Sequence, residues 1–209
     1  MVSMNSRIDF LSPRGFLKGL AVGAGGYALG SLVIRPNEAM GQSIEDYLEK
    51  VRMETRWQIA SSTGVTSTVR FWKERYDKEG REKHVESAKQ RASASGAQLK
   101  GLAGMLGFTG NDAKSMAAIM PALITLWAGP TQKYEIEEAT AEKAKLKCVN
   151  CAYWNAMQKM GITDDLCSAG SHYMAEGLAK ALNPQMTSNL VKAKPRGDSV
   201  CEWVIEIKA

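Results

Sequence analysis

The hydrophobic rhythm of the chain changes three times, and each change marks a different kind of structure. Residues 1–14 are polar, and Gly15 to Ile34 form a mostly apolar run broken only by Lys18 and Ser31. Helical periodicity follows. Ser43 and Asp46 have the spacing of a helix N-cap with its reciprocal acid, and Ile44, Tyr47, Leu48 and Val51 recur at three- and four-residue intervals. This predicts a helix from near Ile44 to about Ala60, where Ser61-Ser62-Thr63-Gly64 is expected to interrupt it. A second helical run is predicted from there, with Val69, Phe71, Trp72 and Tyr76 leading on to about Leu106. It is rich in Lys, Glu, Gln and Ala, and its charges read as a solvated face on which His84 is one more solvated residue.

Asn111 or Asp112 caps the next predicted helix, in which Met116, Ile119, Met120, Leu123, Ile124 and Trp127 repeat at core spacing. Pro121 inside it implies a kink or a late start. Beyond Gly129-Pro130 the period falls to two. Tyr134 and Ile136 alternate with charges, Ala144, Leu146 and Cys148 alternate with lysines, and Cys201, Trp203, Ile205 and Ile207 form a terminal alternating run. Thr187 to Lys194 is a further candidate strand. Helices are expected near Cys151 to Met160 and Asp164 to Leu182. The predicted class is α+β: an N-terminal signal or anchor helix, a helical middle, and a C-terminal antiparallel sheet with packed helices.

Composition narrows the functional classes. With 209 residues, 44% hydrophobic and 23% charged, the chain is long enough for one well-buried domain and an appendage. The net charge of +5 is dispersed, because Lys and Arg alternate with Glu between positions 73 and 100. No basic stripe is interleaved with aromatics, so nucleic acid is excluded as the expected partner.

The leader reads as an export signal. A positive flank, an apolar run and the small residues of Ala39-Met40-Gly41 occur in the order of a secretory signal, which places cleavage before Gln42. Ser12-Pro13-Arg14-Gly15-Phe16-Leu17-Lys18 resembles a twin-arginine motif with Pro13 in the place of the first arginine. General secretion and an uncleaved anchor remain open, and residues 15–34 are the candidate membrane contact. The expected organisation is therefore a signal peptide or anchor over 1–41 and a domain over 42–209. The mature domain is expected in the periplasm or on the outward face of the cytoplasmic membrane.

All four cysteines lie between Cys148 and Cys201. The strand phases point Cys148 and Cys201 to the covered face of the sheet, place Cys151 where a strand turns into a helix, and put Cys167 in the first turn of the next helix. Three chemistries are open. The cysteines can be structural, as disulfides or small buried hydrophobes. Cys148-x-x-Cys151 can be a ligand pair for zinc or an iron–sulfur cluster, with Cys167, Cys201 or His172 completing the set. Finally, Cys151 or Cys167 can be a nucleophile, its pKa lowered by the N–H groups at a helix start. His172 and Glu176 are spaced one turn apart, so the carboxylate can orient the imidazole for proton transfer; an ordinary helix-surface pair has the same spacing.

Cys151-x-Tyr153, Gly161, Met174-Ala175-Glu176-Gly177, Asn183-Pro184 and Gly197-Asp198-x-x-Cys201-x-Trp203 occur in this order over about sixty residues. Together they resemble the C-terminal half of the L-2-amino-thiazoline-4-carboxylic acid hydrolase family. The resemblance implies a small α+β domain and hydrolytic opening of a five-membered thiazoline ring. Cys151, Glu176, Asp198 and Cys201 fall on the family-like positions, whereas Cys148 is additional.

The resulting expectation is an exported domain that acts on a small cyclic C–N/C–S substrate. Cys151, His172, Glu176 and Asp198 are its candidate catalytic residues. The alternative is a non-catalytic subunit of an envelope redox complex, in which Cys148, Cys151, Cys167 and Cys201 hold a metal, an iron–sulfur cluster or a small molecule.

Overall fold

Helix-forming residues dominate the first segment, and the computed structural model, which describes residues 51–208, shows it as helix α1, Met53–Met105. The leader expected at 1–41 and the helix start expected near Ser43 lie outside the described residues. The interruption expected at Ser61-Ser62-Thr63-Gly64 is absent. Hydroxyls there bond backwards along the helix, from Thr63 to Ile59 O at 3.0 Å and from Thr66 to Ser62 O at 2.9 Å. Ser61, Val65 and Val69 are buried, so packing on one face overrides the weak local propensity.

The break comes instead at Gly80, whose φ of 81° and ψ of 169° divide α1 into two arms. Left-handed backbone of this kind favours glycine, and the surrounding polar run conceals the position. Past the break His84 turns inward. It is 7% exposed, its Nε2 lies 2.8 Å from Leu166 O, and its ring meets Tyr76 edge-on. The expectation of a solvated His84 is thus corrected: a ring flanked by Lys83 and Glu86 is buried because the helix changes direction four residues earlier.

The second helix, α2 (Ala113–Ala128), is capped as predicted, with Asp112 Oδ1 accepting the Ser115 N–H at 2.7 Å. Pro121 lies within it. Met116, Ile119, Met120 and Leu123 are fully buried and form the centre of the core.

The sheet follows as β1 (Lys133–Ala139), β2 (Lys143–Asn150), β3 (Met186–Lys192) and β4 (Cys201–Ile207), in the order β1-β2-β4-β3 with every pairing antiparallel. Helices α3 (Ala152–Lys159) and α4 (Ser168–Leu182) lie between β2 and β3 in the chain. The α+β class and the antiparallel sheet are as the alternation predicts. Ala144, Leu146 and Cys148 on β2 and Cys201, Trp203 and Ile205 on β4 face the helices and are buried. The other face carries cross-strand ion pairs, with Glu202 bridged to Lys192 at 3.0 Å and to Lys147 at 3.9 Å. β1 departs from simple alternation. It is an edge strand with two register shifts, and Ile136 is 48% exposed.

Helices α1 and α4 approach almost backbone to backbone. A Cβ at Gly96 would strike the carbonyl of Gly177, and one at Gly177 would strike the carbonyl of Ala92. Lys100 Nζ closes the same contact by donating to Ala181 O at 2.6 Å. Among the described residues no helix is long and apolar enough to cross a membrane.

Candidate functional site

Strand β2 ends at Asn150, and Cys151 becomes the N-cap of α3 in extended backbone (φ −111°, ψ 114°). N-caps are usually oxygen-bearing side chains, because the first amides of a helix have no partner of their own. Here the cap is sulfur, and Cys151 Sγ accepts the Trp154 N–H at 3.5 Å. Asn155 Nδ2 donates to Asn150 Oδ1 at 2.8 Å and fixes the strand-to-helix junction.

All four cysteines are free thiols, and three of them are buried; only Cys151 is partly exposed. Cys148 pairs across the sheet with Cys201 in Cα register. Cys201 Sγ accepts the Lys194 N–H at 3.4 Å, and Lys194 Nζ donates to Val149 O at 2.9 Å, so the cation lies across the end of the strand pair. Cys167 is at the N-terminus of α4 but does not cap it. Asp165 does so, with Oδ1 accepting the Ser168 N–H at 3.0 Å, while its Oδ2 meets Arg196 Nε at 3.4 Å.

The four thiols do not share one acidity. Hydrogen bonding from Cys148 lowers the Cys151 pKa to about 6 against the opposing effect of burial; the backbone N–H groups of Trp154 and Tyr153 and the Lys194 cation add to the lowering. Cys148 is shifted upwards, first because its proton is engaged by Cys151 and then by burial. Burial raises Cys167 and Cys201, and the charge on Cys151 raises both further. The cluster thus holds one thiolate at neutral pH and three protonated thiols.

Two phenols border it. Burial and the Cys151 charge push Tyr153 up to about 12, and Tyr153 stacks on Trp72 of α1 with ring centroids 5.3 Å apart. Tyr134 is also shifted up by burial and by Cys148. Gln132 ties the pieces together. Its Oε1 accepts the Ala152 N–H at 2.8 Å, and its Nε2 donates to Tyr134 OH at 3.0 Å and to Cys148 Sγ at 3.1 Å. Sequence reasoning missed Gln132 and Lys194. Neither lies in a recognisable pattern, although a lone glutamine just before a strand was the available signal for the first.

Cys148 and Cys201 are cross-strand partners and Cys151 follows at the end of β2, while His172, Glu176 and Asp198 make their contacts elsewhere. His172 Nε2 lies 3.9 Å from Glu176 Oε2 on α4, and His172 Nδ1 lies 3.5 Å from the Leu190 N–H of β3. Among the described residues no hydrogen bond links His172 or Glu176 to a cysteine. Asp198 Oδ2 accepts the Ala193 N–H at 2.8 Å and closes the turn 193–198, whose Gly197 has a φ of 96°. Its effect on the site is indirect, through the turn that presents Lys194. Among the described residues no three His, Cys, Asp or Glu side chains are placed to hold one ion. Cys148 Sγ accepts from Gln132 and donates to Asn150 O at 3.5 Å, and the sulfurs of Cys151 and Cys201 each accept a backbone N–H.

Among the described residues three buried polar groups have no protein partner, one at the start of α4 and two on the sheet. They are Ser168 Oγ, next to Cys167; Trp203 Nε1, on the same face of β4 as Cys201; and Ser188 Oγ on β3. Unpaired buried donors are rare and mark places where a further polar group would be favourable.

No protein-family model matches the chain, and no curated protein matches it in sequence. Among solved structures it is similar to the crystal structure of the phenol-responsive sensory domain of the transcription activator PoxR with phenol. The TM-score is 0.54 and the identity 14%, over 68% of this chain and 74% of that one. At that identity the likeness is one of fold.

Proposed function

We propose that this domain binds a small molecule at the thiol cluster and that Cys151 is the nucleophile that attacks it. The observation that carries the reading is the asymmetry of the cluster: the one partly exposed cysteine caps α3, its sulfur accepting the Trp154 N–H, while the other three are buried. A thiolate so placed adds to an electrophilic carbon such as the one between nitrogen and sulfur in a thiazoline ring. As the ring bond to the attacked carbon breaks, Tyr153, protonated up to about 12, gives its proton to the departing ring atom; water then adds its hydroxyl to the carbon, returns a proton to Tyr153 and releases the Cys151 thiolate. This is the chemistry implied by the resemblance to the L-2-amino-thiazoline-4-carboxylic acid hydrolase family. The phenol-responsive domain of similar fold lends support to a small cyclic ligand. Ser168 and Trp203 supply unpaired hydrogen-bond donors for such a molecule. In the same reading, residues 1–41 carry the domain out of the cytoplasm.

The test is a panel of cyclic amidines, thiazoline carboxylates and phenols, offered to the full chain and to Cys151→Ala. Turnover or binding of a panel member that disappears in a folded Cys151→Ala protein is the expected result. A wild-type thiol that stays unmodified by iodoacetamide at neutral pH would overturn the nucleophile.

A further inference from the structure

We infer that Cys148 and Cys151 also work as a pair in thiol–disulfide exchange, with Cys151 as the attacking sulfur and Cys148 as the resolving one. The inference shares with the preceding reading only the reactivity of Cys151; the role of Cys148 is new.

Three observations place the pair. Cys148 is the last covered-face residue of β2 and Cys151 the cap of α3 three residues on, and Gln132 spans the junction, reaching both the Cys148 sulfur and the amide that follows Cys151. Their exposures differ in the direction exchange requires. Cys151 is partly open to a reagent, whereas Cys148 is 1% exposed and closed to one. The junction is also held on both sides: Gln132 grips Cys148 and the Ala152 amide together, and Asn155 grips Asn150. A mixed disulfide on Cys151 is therefore formed within reach of a thiol that a large reagent does not enter.

The Cys151 thiolate attacks one sulfur of a disulfide R–S–S–R, forming Cys151–S–S–R and expelling R–S⁻. Cys148 then attacks Cys151 Sγ and displaces the second R–S⁻, and its proton passes to one of the two released thiolates. The protein dithiol is oxidised to Cys148–S–S–Cys151, and the disulfide is reduced to R–SH and R–S⁻. The co-reactant is a low-molecular-weight disulfide, for which glutathione disulfide is the probe.

The experiment incubates the reduced full chain with glutathione disulfide, quenches with acid and maps the products by mass spectrometry. The wild type is expected to lose two hydrogens, to carry no glutathione and to yield a peptide linked Cys148–Cys151. Cys148→Ser, or Cys148→Ala if serine disturbs the fold, is expected to stop at one glutathione on Cys151. A wild type that keeps its glutathione, or that links Cys151 to Cys167 or Cys201, overturns the exchange pair but leaves Cys151 reactive. A folded Cys148 variant that takes up no glutathione overturns the exchange pair, and a wild type that also stays fully reduced overturns the nucleophile reading with it.

Discussion

The acidity of Cys151 can be measured directly through its alkylation rate as pH is lowered. With a pKa of about 6, its thiolate fraction is about 0.9 near pH 7, against about 0.01 for a cysteine at the reference 9.0 of an unperturbed group. Ionisation alone would make it about 90-fold faster. A more acidic thiol is a weaker nucleophile, however, and a Brønsted slope of about 0.4–0.5 over three units removes a factor of roughly 16–32. The net advantage near pH 7 is only about 3–6-fold, too small to identify the residue. Near pH 5.5 the fractions are about 0.24 and 0.0003, and the advantage after the same correction is roughly 25–50-fold. Iodoacetamide at that pH should therefore label Cys151 and little else, and the rate should fall tenfold per unit below about 6 and plateau above it. The other thiols are buried and shifted upwards, so they do not contribute. Peptide mapping of the label over this range is the assay. A midpoint at or above about 8 would refute the account of how Cys148, the α3 amides and Lys194 stabilise the thiolate.

Other outcomes follow from the same structure. Lys194→Met removes a cation that favours the Cys151 thiolate, so the alkylation midpoint should rise and the low-pH rate drop several-fold with an unchanged circular dichroism spectrum; an unmoved midpoint would show that the cation is screened. Gly177→Ala places a methyl group against the Ala92 carbonyl. Overpacking of this kind costs about 1–3 kcal/mol, read as a fall in urea midpoint without a change in m-value, and a neutral result would mean that the α1–α4 crossing is looser than described. Asp112→Ala removes the cap on Ser115 and should cost about 1 kcal/mol in the same measurement.

The sheet was legible because one face is buried and the other solvated, which writes a period of two into 143–150 and 201–207. That pattern also put Cys148 and Cys201 on the covered face, and the strand-to-helix change put Cys151 at a helix start. The break at Gly80 was not legible, since a glycine in a polar helical run has the same neighbours whether the helix continues or turns. His84 followed that break and was misread with it. The exposed outer face of β1 and the continuous helix through Ser61–Gly64 depend on tertiary contacts that no local window contains. Gln132 and Lys194 reach the thiols through distant hydrogen bonds, so only the folded chain brings them into the site. Asp198, by contrast, makes a local bond to the Ala193 N–H, as expected of a Gly-Asp turn before the last strand.

The two arms of α1 also set an order of events during synthesis. The contacts that bury them lie far ahead in the chain, since Trp72 in the first arm stacks on Tyr153 from 81 residues away, and in the second His84 meets Leu166 from 82 and Lys100 meets Ala181 from 81. Closing a loop of that length costs about 4 kcal/mol of chain entropy. At roughly 5–20 residues per second, the helix leaves the ribosome some 4–16 s before its partner exists. The hairpin of β1 and β2, by contrast, needs only its own neighbours. Assembly from the C-terminal half, with α1 docking last across the glycine contact, is the route of least loop closure. A helix that must wait unpartnered for that long is better polar than apolar, and the charge-rich make-up of α1 meets that requirement.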